Sequence, residues 1–74
     1  MRSATVGDRH MAVELITLAA ALLREAEEEL HAAARESDSL AGCAGGAMVA
    51  QPTVDRALAL LNAVLAMSQA FRGR

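Results

Sequence analysis

Few residues in this chain are of types that do chemistry. Glu25, Glu27, Glu28 and Glu29 form its densest run of charge, and His10, His31 and Cys43 are the remaining candidates. Glu28 and His31 have the Glu-x-x-His spacing that carboxylate-bridged metal bundles use, but such sites also need inward-facing glutamates from a second helix. The second half of the chain offers only Asp55. The acidic run therefore reads as a solvated helix face, and no metal or other cofactor is expected. His10 with Glu14, Glu27 with His31, and Arg24 with Glu28 are each four residues apart, the spacing of helical surface ion pairs contributing a few tenths of a kcal/mol. Cys43 has no histidine near it in sequence to activate it as a nucleophile. Its surroundings, GCAGG, lack the Lys and Ser/Thr of a phosphate-binding loop. A protein without catalytic activity is expected, with a metal or thiol enzyme as the remote alternative.

Composition bounds the elements that must carry these residues. Seventy-four residues support a single domain, and a chain this short needs disulfides, a metal or oligomerisation to supplement its core. It is 54% apolar but only 1% aromatic, a balance produced by alanine. Ala with Leu, Glu and Arg is helix-former chemistry, so the fold class is all-α. All seven basic residues are Arg, a usage associated with GC-rich, bacterial coding. They are scattered singly in a chain of net charge −2, which excludes the clustered basic face a nucleic acid requires. The longest apolar run, Leu15 to Leu23, is far short of the roughly twenty residues of a membrane span. The N-terminal MRSATVGDRH has no apolar stretch of the secretory type, and the lone Cys43 cannot form an internal disulfide. A cytoplasmic location is expected, without nucleic acid or membrane as partner.

Periodicity predicts a helical hairpin: a flexible lead-in over 1–7, helix 1 over 8–39, a Gly-rich loop over 40–51 and helix 2 over 52–72. Thr5 with Asp8 three residues on is an imperfect capping box, but Gly7 is unfavourable in a first turn and favours a start at Asp8. Ala12, Ala19, Ala26 and Ala33 recur every seven residues, with Leu15 and Leu22 three after the first two, a seam suited to close antiparallel packing. Ser37, Asp38 and Ser39 end helix 1, and Gly42, Gly45 and Gly46 read as breakers. Pro52 suits a helix start, with Thr53 as cap and Asp55 favourable to the dipole, and Gly73 suits its end. Helix 1 is then the longer by about ten residues, an overhang of roughly 15 Å.

Helix 2 has more apolar surface than one neighbour covers. Val54, Leu58, Leu61 and Leu65 are assigned to the hairpin. Leu60, Ala63, Met67 and Ala70, with Val64 and Phe71 beside them, are assigned to an interface with another chain, since a contiguous exposed apolar stripe marks an interaction site. The expected assembly is a homodimer forming an antiparallel four-helix bundle, or a complex with another protein.

The stretches LITLAAALLREAEEEL (Leu15 to Leu30) and DRALALLNAVLAMSQAF (Asp55 to Phe71), set either side of a Gly-containing turn, resemble the small helical-hairpin co-chaperones of bacterial type III secretion needle subunits. The resemblance implies a cytosolic protein that holds an aggregation-prone helical subunit. The expected function is a small protein-protein interaction module acting as adaptor, inhibitor or co-chaperone through an apolar helical face. The alternative is a homodimeric regulator or inhibitor, encoded by a phage or mobile element, that docks on a host protein.

Overall fold

The computed structural model describes residues 5–72, with side chains described through Gln69. It is a hairpin of two long helices, α1 (Val6–Glu36) and α2 (Leu40–Arg72). The molecule is a flat ribbon of 56 × 19 × 11 Å, one helix thick. No helix among the described residues is long and apolar enough to cross a membrane. Residues 1–4 of the expected lead-in and the expected terminator Gly73 lie outside the described residues.

The start of α1 is fixed by a complete capping box. The Thr5 hydroxyl accepts from the Asp8 N–H at 3.1 Å, and the Asp8 carboxylate accepts from the Thr5 N–H at 3.0 Å. Two of the N–H groups that a helix start leaves without partners are thereby satisfied, which moves the start from Asp8 back to Val6 and carries Gly7 inside the first turn. At the other end the Ser37 N–H still donates to the Ala33 carbonyl at 3.0 Å, and Ser37 leaves the helix in an extended conformation.

The larger correction concerns residues 40–51, which are helix and not loop. Ser39 acts as the cap: its hydroxyl accepts from the Gly42 N–H at 3.1 Å, and its carbonyl accepts from the Cys43 N–H at 3.1 Å. The connection shrinks to Ser37, Asp38 and Ser39, and the two helices become nearly equal, so the expected overhang of helix 1 is absent. Pro52 sits inside α2. It lacks the N–H that would bond the Met48 carbonyl, and both residues lie on an exposed stretch of the helix.

The tertiary contact explains why small residues were placed where a loop was expected. A Cβ added at Gly46 would overlap the methyl of Ala33, whereas one added at the adjacent Gly45 would meet nothing. The helices approach too closely at Gly46 for any side chain. The buried positions and most of the half-buried ones follow three-four spacing on both helices: Ala12, Leu15, Ala19, Leu22, Ala26, Glu29 and Ala33 on α1, and Gly46, Ala50, Thr53, Ala57, Leu60, Val64 and Met67 on α2, with half-buried Ala32 and Leu61 flanking that line. This is an antiparallel coiled-coil seam, and the alanine repeat of α1 is its axis.

Counting back from the Ala33 and Gly46 approach sets Leu22 level with Ala57, Ala19 with Leu60, Leu15 with Val64 and Ala12 with Met67. Large mostly meets small in each layer, which lets the backbones stay close. The fully buried core consists of Ala19, Ala26, Ala50 and Ala57, and among the described residues no large side chain is fully buried.

Candidate interaction surface

The polar candidates do not converge. Glu28 and His31 are both exposed on α1, and no group of three or more His, Cys, Asp or Glu able to hold a metal occurs among the described residues. His10 pairs with Glu14 at 3.5 Å and His31 with Glu27 at 3.8 Å, the spacing-four pairs expected of a helix surface. Their side chains are 64–73% exposed, so such pairs contribute little to stability. Cys43 is a free, exposed thiol near the start of α2.

Glu29 departs from the rest of the acidic run. It occupies the seam, seven residues after Leu22 and fourteen after Leu15, and is half-buried. Its Oε1 atom is shielded from solvent and has no hydrogen-bond partner. The same heptad count that identified Leu15 and Leu22 would have placed it there.

The apolar surplus of α2 is real, but its two stripes exchange roles. Leu60, Val64 and Met67, expected to face another chain, are half-buried at seam spacing with Ala50 and Ala57. Ala63 is exposed, and the side chains of Ala70 and Phe71 lie outside those described. Of the stripe assigned to the hairpin, Leu61 is half-buried, while Val54, Leu58 and Leu65 are exposed. The reason is the alanine seam of α1. It lies closest to the α2 line whose spacing continues Gly46, Ala50 and Ala57, and that line runs through Leu60, Val64 and Met67.

One broad side of the ribbon carries more of the exposed large hydrophobics than the other. The residue after the second seam position of each heptad lies on the same side of both helices, because antiparallel neighbours are related by a two-fold axis across the seam. That flank carries the exposed Ile16, Leu23 and Leu30 on α1 and Val54 on α2, with Leu61 half-buried beside them. One step further round α2 stand Leu58 and Leu65, 54% and 58% exposed. One step further round α1 stand Val13, Ala20 and the charged Glu27, all exposed, and Gln51 precedes Leu58 on the matching row of α2, so the apolar part of this side ends at that level. The opposite broad side carries Met11, Leu18 and Val49, but Glu25 and Arg56 interrupt it and Ala32 and Ala63 fill its other positions.

The exposed side chains grouped on the more apolar side are mainly aliphatic, and removing them from water is favourable. No protein-family model matches the chain, and neither a curated protein nor a solved structure is similar to it.

Proposed function

We propose that this chain is a small, non-catalytic protein-protein interaction module, working in the cytoplasm as an adaptor, inhibitor or co-chaperone through the broad apolar side of its hairpin. The observation that carries the reading is the grouping of Ile16, Leu23, Leu30, Val54, Leu58 and Leu65 on one side of a ribbon that has no second layer. A monomer of this size rarely leaves so continuous an apolar surface in water unless another protein covers it. The resemblance of the two helical stretches to needle-subunit co-chaperones agrees with a hairpin that shields apolar helices. The net charge of −2 opposes the alternative of an anionic lipid surface.

The test is site-specific photo-crosslinking in the native cell. A photoreactive side chain at Leu58, on the apolar side, is expected to give protein adducts, and one at Asn62, on the polar side of α2, is expected to give none. Adducts of equal yield from both positions, or none from Leu58, would overturn the reading.

A further inference from the structure

We infer that the protein covering the broad apolar side is a second copy of this chain, related by a two-fold axis parallel to the helices, so that α1 of each copy lies on α2 of the other. The inference rests on the interaction reading above and specifies its partner. Three observations carry it.

The first is area. Ile16, Leu23, Leu30, Leu58 and Leu65 are each 43–58% exposed. With Val54 they leave on the order of 500 Å² of apolar surface per copy, so pairing buries about 1,000 Å², the lower bound for a specific interface.

The second is shape. On this side α2 raises Leu58 and Leu65, whereas α1 presents the small Ala20 at the corresponding outer position. Counted along the hairpin, Leu58 lies one residue from the level of Ala20. An axis parallel to the helices preserves level, so Leu58 falls on the partner subunit's Ala20, between the partner's Ile16 and the partner's Leu23. Leu58 thus meets a small residue in the manner of the seam, while Leu65 comes level with the partner subunit's Val13 and packs large on large.

The third is charge. Arg24 and Asp55 border the apolar side, one on each helix, and stand at the same level of the hairpin. The same axis sets Asp55 beside the partner subunit's Arg24, and symmetry makes two such pairs. A two-fold axis perpendicular to the helices does not bring these opposite charges together, so the pair selects the parallel axis.

Sedimentation equilibrium and light scattering on the full chain test the inference. The wild-type protein is expected at twice its 7.7 kDa at micromolar concentration. Leu58→Glu is expected to give a monomer that keeps its helicity. Where that variant unfolds instead, the charge pair decides: Asp55→Arg and Arg24→Asp each weaken dimerisation about 3- to 10-fold, and the double variant restores it. A wild-type monomer at 100 micromolar on the order of standard assay conditions, a dimer broken by Leu18→Glu but not by Leu58→Glu, or a double variant no better than either single one would each overturn the inference. Crosslinking from Leu58 separates this from the reading beneath it. Adducts of doubled mass support the second copy. Adducts of other masses alone overturn the second copy and leave the interaction module standing, and the lack of any adduct overturns both.

Discussion

Gly45 and Gly46 are adjacent in α2, and alanine at each is expected to change stability in opposite directions. In a helix interior Ala is favoured over Gly by about 0.8–1.0 kcal/mol, partly through the unfolded chain, and both substitutions collect that gain. At Gly45 the new methyl meets nothing, so the gain stands alone. At Gly46 the methyl overlaps the side chain of Ala33 and lies 3.6 Å from its Cα, neither of which can swing aside. Relief requires the two helices to separate, which loosens the neighbouring Glu29 and Ala50 layer as well. Overpacking of this kind costs about 1–3 kcal/mol, and because the propensity term is shared, the difference between the two variants isolates that cost. For a domain of this size 1 kcal/mol moves Tm by about 4–8 °C. Thermal unfolding followed by circular dichroism at one fixed protein concentration should therefore place Gly45→Ala above wild type, and Gly46→Ala at least about 4 °C below Gly45→Ala. Exchanging the pair, Ala33→Gly with Gly46→Ala, recreates the missing space and should recover part of the loss, a coupling absent between Ala33 and Gly45. Equal stability of the two alanine variants would refute the close approach that sets the register of the hairpin.

The Glu29→Leu variant removes a shielded, unpartnered oxygen and copies the Leu22 and Ala57 layer at the level of Ala50; urea titration is expected to show about 1–2 kcal/mol of stabilisation, and a loss would mean that the carboxylate is satisfied in solution. Pro52→Ala restores an N–H to an exposed helix position and should stabilise by up to about 3 kcal/mol, whereas destabilisation in the same titration would indicate that α2 breaks at Pro52. Thr5→Ala dissolves the capping box at a cost of about 1 kcal/mol, read by faster amide exchange in the first turn of α1; unchanged exchange would show that the box does not hold the helix start. His10→Ala, which removes an exposed ion pair, should change stability by less than about 0.5 kcal/mol, and a larger effect would assign His10 a role the hairpin does not give it.

The helical class, the hairpin and the seam of α1 are legible in the amino-acid order because they rest on periodicity. Ala12, Ala19, Ala26 and Ala33 announce a close neighbour, and burial of Ala19 and Ala26 to 1% and 2% exposure follows. The stretch 40–51 misleads because glycine carries two messages. Judged by propensity, Gly42, Gly45 and Gly46 end helices; judged by packing, Gly46 is where two backbones nearly touch, and the second effect prevails. The three-four line through Gly46, Ala50, Thr53 and Ala57 would have revealed the continuation.

The same priority of spacing over size explains the apolar stripes of α2. The surplus is visible in the sequence, but both stripes of α2 contain large apolar residues, so size alone does not show which one meets α1. In this seam smallness decides. The alanines of α1 admit a close helix, and the line of α2 that contains Ala50 and Ala57 takes that place, leaving Leu58 and Leu65 to water or to a partner. The place of Glu29 at the seam was hidden by its neighbours, since three flanking glutamates disguise the one that turns inward.

The all-alanine core has a consequence for the heat capacity of the molecule. The heat-capacity change of unfolding scales with the apolar surface newly exposed to water. A hairpin whose fully buried side chains are four methyl groups, with Leu15, Leu22, Leu60, Val64 and Met67 only half-buried, exposes less new apolar surface when its helices part than one with a closed leucine core. The separated hairpin should therefore melt with a shallow, nearly linear stability curve and a broad transition. In the dimer proposed above, the event that covers Leu58 and Leu65 adds further curvature. Calorimetry across a dilution series would resolve the two, because only that second contribution depends on concentration.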